Sequence, residues 1–237
     1  MKNIRVFYLN KKHIYIYFTI VMVLLTMTLL FYGIFSNAFS YSVPLSGKTV
    51  LIDPGHGGID GGTNSGNVLE KNINLNASLI LKSKLISQGA HVIMTRDKDI
   101  SLENFYKDND YRHRRDLKAR VNMINDNNID IYLSIHVNAI SNAPHVKGPM
   151  VFYSNTNKNN NYLAEEIQKS LNNATGVDRK PTLADYYLLT NAKKTGVLIE
   201  LGFITNKDDK NLLQSKEYLS KLSDSIIEGI TLYFSKI

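Results

Sequence analysis

The 237-residue chain has no cysteine. Disulfides, thiolate zinc sites, iron–sulfur clusters and cysteine nucleophiles are therefore excluded, and any metal must be held by imidazole and carboxylate groups. Acidic residues are missing before Asp53, whereas Lys2, Arg5, Lys11 and Lys12 all precede residue 13. The net charge of +7 is thus partly local: 7 − 4 leaves +3 for the remainder, which gives no nucleic-acid signal. The basic cluster Arg112–Arg115 reads as a solvated helix face. Charge is also missing from residues 14–35, a run of 22 residues. As a helix this run would extend roughly 33 Å, enough for a bilayer core of about 30 Å. The basic residues ahead of it predict a cytoplasmic amino end and an exported remainder. The expectation is an uncleaved membrane anchor over residues 1–35 and a linker over 36–47. The alternative is a secretory signal: Ser36-Asn37-Ala38 loosely resembles a cleavage site, but the run exceeds the usual apolar core of about 7–15 residues. Nucleotide binding is not supported. Ser46-Gly47-Lys48-Thr49 imitates the end of a phosphate loop, but position 42 is Ser42 rather than glycine, and the motif precedes a strand instead of following one.

No repeat or second domain is visible in residues 48–237. The stretch Val50–Glu70 organises this part of the chain. It opens as a buried strand over Lys48–Asp53 and breaks into a loop with six glycines in Gly55–Gly66. It ends at Glu70, where an amphipathic helix to Ser87 starts, closed by Gly89. Further strands are expected at 90–95, 130–137, 148–154, 186–189 and 196–201. Helices are expected at 112–125, 162–171, 206–213 and 217–234, with polar surface excursions at 98–111 and 155–161. Strands alternating with helices indicate an α/β fold: a single three-layer domain, its mostly parallel or mixed sheet flanked by helices.

Four polar residues stand out at strand ends or a helix start: His56, Glu70, His136 and Glu200. An ionised Glu200 within V-L-I-E-L costs several kcal/mol unless it is paired, protonated or beside a metal. The carboxyl ends of strands in an open α/β sheet converge on one edge, so these groups can meet. Two imidazoles and a carboxylate with one open position suit catalytic zinc, and a second carboxylate suits a general base. Each also has a plain structural reading as turn residue, strand-end histidine or helix-dipole partner, and their spacing matches no short metal motif. His91, His113 and His145 read as structural or exposed.

Taken together, several motifs are similar to those of the zinc-dependent N-acetylmuramoyl-L-alanine amidases. They are V-L-I-D-P-G-H-G-G-I-D-G-G at 50–62, E-K at 70–71, V-I-M-T-R at 92–96, L-x-x-R-x-N at 117–122, S-I-H-V-N at 134–138 and I-E-L-G-F-I-T-N at 199–206. The single anchor without wall-binding repeats resembles the spore-cortex, germination-specific members. The resemblance implies one zinc ion held by His56, Glu70 and His136, with Glu200 as the catalytic carboxylate and Asn138 and Arg96 in support. It implies hydrolysis of the amide between N-acetylmuramic acid and L-alanine in peptidoglycan, outside the membrane, in wall or spore-cortex remodelling, with an activating protein partner for some members. The competing readings are an inactive or partner-dependent peptidoglycan-binding homologue and a zinc carboxypeptidase.

Overall fold

The computed structural model describes residues 10–38 and 43–237. The chain divides into two compact units, Met1–Val43 and Pro44–Ile237. Lys2 and Arg5 lie outside the described residues, as does 39–42 of the expected linker. The second unit starts earlier than the expected boundary at Lys48, because Leu45 is buried and its N–H donates to the Gln88 carbonyl.

In the first unit, α1 (Lys11–Ala38) is a continuous helix. Its segment Lys11–Gly33, of mean hydropathy 2.3, is long and apolar enough to cross a membrane, as an anchor or as a signal sequence. The hydroxyls of Thr19, Thr26 and Thr28 donate to carbonyls three residues back. No hydroxyl of these three needs water, as an apolar medium requires.

The second unit is built on a six-stranded mixed sheet. Its strands are β1 (Thr49–Pro54), β4 (His91–Met94), β5 (Ile131–Asn138), β6 (Met150–Tyr153), β7 (Thr182–Leu183) and β8 (Gly196–Phe203). The order across the sheet is β4-β1-β5-β8-β6-β7. Strands β4, β1, β5 and β8 run parallel, and β6 lies antiparallel to β8. A separate pair, β2 (Asn64–Ser65) and β3 (Val68–Leu69), closes the glycine-rich loop.

Successive side chains on a strand point to opposite faces, and this parity sorts the central strands. Val50 and Ile52, Leu133 and Ile135, and Val197 and Ile199 pack with α2 (Glu70–Ser87), α4 (Lys158–Thr175) and α7 (Lys216–Phe234). Leu51, Tyr132 and Leu198 face the other way, towards α3 (Arg112–Asp126) and α5 (Tyr187–Asn191). Two positions further along these strands the second face turns polar: Asp53, Ser134 and Glu200, with His136 after Ser134. The apolar part of this face anchors the layer, and its carboxyl end is left for chemistry.

Three expectations need correction. Residues 186–189 were expected as a strand, but Tyr187–Asn191 is a helix that covers the second face. The helix expected from residue 162 starts at Lys158, because the Asn157 side chain caps it by accepting from the Asn159 N–H. Residues 155–161 are therefore not a free excursion: Asn160 is fully buried, and its side-chain Oδ1 accepts from the Gly196 N–H at 2.9 Å. The excursion at 98–111 holds a short 3-10 turn, Glu103–Phe105, and is pinned where the Leu102 N–H donates to Asp116 at 2.6 Å. Asn206 caps α6 (Lys207–Leu212), close to the expected helix.

Candidate metal centre

The carboxyl ends of β1, β5 and β8 lie side by side in the sheet, with His136 paired to Glu200 across β5 and β8. The glycine-rich loop that follows β1 brings His56 over this edge and then returns to the start of α2. There the Glu70 N–H donates to the Thr63 carbonyl, and the Thr63 N–H donates to Glu70 Oε2 at 2.8 Å. Glu70 is not a solvent-facing dipole partner: it is 3 % exposed and turned to the two histidines. His56 Nε2 and His136 Nδ1 lie 3.2 and 3.0 Å from Glu70 Oε1.

Glycine is required where the His136, Glu70 and His56 side chains press on the loop. A Cβ at Gly55 would stand 2.2 Å from the His136 ring. At Gly62, with φ +67°, it would stand 2.6 Å from Glu70 Oε2 and 2.7 Å from the His56 ring. Either would displace one of these side chains.

Beneath the loop lies a buried charged platform. Asp53 accepts from Thr95, Ser134 and Arg120 at 2.7, 2.8 and 2.6 Å. Arg120 also donates to Asp116 and to the carbonyls of Pro54 and His56. Arg96 donates to the carbonyls of Pro54, Gly55, Lys71 and Lys98. Burial alone would raise the pKa of Asp53, but Arg120 and the two hydroxyls outweigh it and hold it down. Burial lowers that of Arg96 to about 10, with Arg120 adding to the fall.

Charge in the centre itself is strongly coupled. Burial disfavours the charged form of His56, but Glu70 and then Asp60 prevail and raise its pKa to about 9. Burial likewise opposes ionisation of Glu70, and the two histidines overcome it, so its pKa is lowered. Glu200 is compensated less: burial first, and then the charge of Glu70, raise its pKa to about 8 against a smaller pull from His56. Its Oε2 is buried without a hydrogen-bond partner.

These groups line one cleft of about 330 Å³. His56, Glu70, His136, Glu200 and Asn138 all face it, with Leu117, Tyr186 and Leu188 along its apolar side. Arg96, expected as support, does not line it and acts only through the loop backbone. Asn138 Oδ1 is engaged by the Ala139 N–H at 2.7 Å. His113, expected to be structural or exposed, is half-exposed but also lines the cleft, 3.8 Å from Asp60. His91 and His145 are exposed. The Arg112–Arg115 face is not wholly solvated, since Arg114 stacks 3.8 Å over the Tyr187 ring.

His56, Glu70 and His136 form a group able to hold a metal ion, with one donor atom from each within 4.8 Å of one another. Their chemistry fits zinc. Ligands about 2.0–2.1 Å from a tetrahedral ion lie about 3.3 Å apart, close to the 3.2 and 3.0 Å separations here. A family model described as N-acetylmuramoyl-L-alanine amidase matches residues 50–232.

The chain belongs to that family. Amidase relatives cover most of its length. The germination-specific N-acetylmuramoyl-L-alanine amidase of Bacillus subtilis is 37% identical over 209 residues, which is 85% of this chain and 87% of that protein. The CwlD amidase from Clostridioides difficile, solved in complex with the GerS lipoprotein, matches with a TM-score of 0.73 and 34% identity, over 80% of this chain and all of that one. A second amidase structure, from Clostridium difficile 630, matches with a TM-score of 0.69 and 29% identity, over 79% of this chain and 97% of that one.

Sequence reasoning missed Arg120, Asp53 and Asp60. Arg120 was within reach: it sits in L-x-x-R-x-N on the same helical face as Leu117, Val121 and Ile124. Asp53 ends the apolar run V-L-I-D and presents the same anomaly as Glu200 does in V-L-I-E-L.

Proposed function

We propose that this amidase hydrolyses the bond between N-acetylmuramic acid and L-alanine of peptidoglycan with one zinc ion per chain, held by His56, Glu70 and His136, and with Glu200 as the catalytic carboxylate. The observation that carries this reading is Glu200. Its carboxyl is buried, has one oxygen without a partner and opens into the cleft shared by the three metal-ligand candidates.

Bound zinc would supply Lewis acidity, polarising the scissile carbonyl and activating water. The chain's own groups account for the rest. Ionised Glu200 takes a proton from the attacking water, then returns it to the departing amine of L-alanine. A raised pKa suits both roles, because the same group must accept and release that proton. Leu117, Leu188 and Leu198 keep the cleft wall apolar, which strengthens electrostatic interactions inside it. The Arg120 and Arg96 platform holds the loop carbonyls, so His56 does not drift during turnover.

The apolar helix supports anchorage of the catalytic unit on the outer side of the membrane, or secretion if the segment is cleaved. The resemblance to germination-specific relatives supports a role in the spore cortex. That the Clostridioides difficile relative was solved with a lipoprotein bound supports a protein partner for this chain as well.

The test is metal content and product analysis on the purified chain given peptidoglycan. Stoichiometric zinc with release of peptides bearing amino-terminal L-alanine is the expected result. Shortened peptide ends would indicate a carboxypeptidase, and zinc without turnover would point to a partner-dependent or inactive homologue. Absence of zinc would overturn the assigned ligands.

A further inference from the structure

His56 is the single non-glycine residue with positive φ among the described residues, at +60°. That conformation costs roughly 1–2 kcal/mol for an L-residue, so the surroundings must hold it. The backbone is held by Arg120, whose Nη2–H donates to the His56 carbonyl at 2.7 Å. The ring is held by Asp60. With the proton placed by its partners, His56 Nδ1–H donates to Asp60 Oδ2 at 2.9 Å. Asp60 is itself fixed: its Oδ1 accepts from the Gly62 N–H at 3.1 Å, and its main chain exchanges two hydrogen bonds with Gly57.

This contact leaves Nε2 as the nitrogen turned to Glu70. His136 offers the opposite atom, with Nδ1 beside the same Glu70 oxygen. The two rings are also secured differently. The His136 ring lies against the bare Cα of Gly55. The His56 ring lies against the bare Cα of Gly62 and has the Asp60 hydrogen bond behind it as well.

We propose that Asp60 is a positioning residue that keeps the His56 proton on Nδ1 and presents Nε2 to the metal, so that the two histidines bind through different ring nitrogens. The inference rests on the zinc reading above. A carboxylate behind a ligating imidazole fixes its tautomer and orientation, and loss of such a partner typically weakens metal binding by about 10–100-fold. Asparagine is the informative replacement: its amide can turn to donate to Nδ1 and so favour the wrong tautomer.

The experiment uses the full chain in detergent, with zinc affinity measured by competition against a chromophoric chelator. Its six histidines allow selective nitrogen-15 labelling, so that NMR reads which ring nitrogen carries the proton in the zinc-loaded protein. Expected are a proton on Nδ1 of His56 and on Nε2 of His136, weaker zinc binding in Asp60→Asn by about 10–100-fold, and recovery towards wild type in Asp60→Glu. A zinc affinity of Asp60→Asn indistinguishable from wild type overturns the inference. So does a proton on Nε2 of zinc-loaded His56, a result that needs no variant to fold. Failure of the wild-type chain to bind zinc would instead remove the zinc reading itself.

Discussion

His136 on β5 and Glu200 on β8 are direct cross-strand partners. Parallel pairing puts both side chains on the same face of the sheet, and Leu198 and Ser134, two residues earlier on each strand, set that parity. The proposed general base and one proposed metal ligand are thus positioned by the paired central strands. His56 and Glu70 depend on the glycine-rich loop instead, Glu70 through the Thr63 N–H that donates to its Oε2.

Replacing Glu200 with glutamine keeps the shape and removes the proton acceptor. Amide cleavage should fall by about 10²–10⁴-fold, the usual contribution of a positioned acid–base group. Zinc content measured by atomic absorption should not change. Full activity in Glu200→Gln would sink its assigned role.

The pH profile should carry the signature of the same carboxyl. Glu200 is active as a base only when ionised, so kcat/KM should rise with pH as it loses its proton. Its pKa is raised from 4.5 to about 8 by burial and by Glu70, and a nearby cation pulls such a group back down. The acid limb is therefore expected between these two values in the metal-loaded enzyme. A limb at or below the ordinary glutamate value would show that burial does not govern this group.

Metal loading should release a proton. In the metal-free protein His56 has its pKa raised to about 9, so at neutral pH the ring is protonated and must lose a proton to ligate. Calorimetry in buffers of different ionisation enthalpy should detect that release, and apparent zinc affinity should climb from pH 7 towards about 9. Stability of the metal-free protein has the opposite trend. A folded pKa above the unfolded value of 6.5 gives stabilisation that is complete below 6.5 and lost as pH rises through about 9. Zinc binding without proton uptake by the buffer would contradict this assignment.

Arg120→Met should destabilise the fold. The guanidinium is 2 % exposed and bonded to fully buried Asp53. Removing one partner of a buried ion pair costs about 3–5 kcal/mol, because the other charge remains. Urea denaturation of the zinc-free protein should read this loss, and a change under about 1 kcal/mol would place the variant among ordinary surface substitutions.

Gly62→Ala should weaken zinc binding more than it weakens the fold. The new methyl would meet Glu70 Oε2 and the His56 ring, both of them proposed ligand side chains and neither of them part of the apolar core. Chelator competition should show reduced affinity, whereas Gly66→Ala, with open space around it, serves as the loop control.

Much of this protein was legible in one dimension. The absence of cysteine restricted any metal to imidazole and carboxylate ligands. Apolar runs of strand length, each with a polar residue near its carboxyl end at Asp53, His136 and Glu200, marked the central strands, because an uncompensated charge is expensive inside a sheet. Glycine density announced a close-packed loop, and the uncharged run at 14–35 announced α1. Residues 186–189 were misread because Y-Y-L-L has strand-like composition and is too short to show a period; packing over Leu198 decides its helical state. Position 120 carries a charge whose fate depends on what lies opposite, and only the fold puts Asp53 there, 67 positions away. The same holds for Asp60 and His56, and for the separation of Arg96 from the cleft. Local pattern follows from the spacing of side chains along one chain, whereas partnership between charges depends on distances that exist only after the strands have been laid side by side.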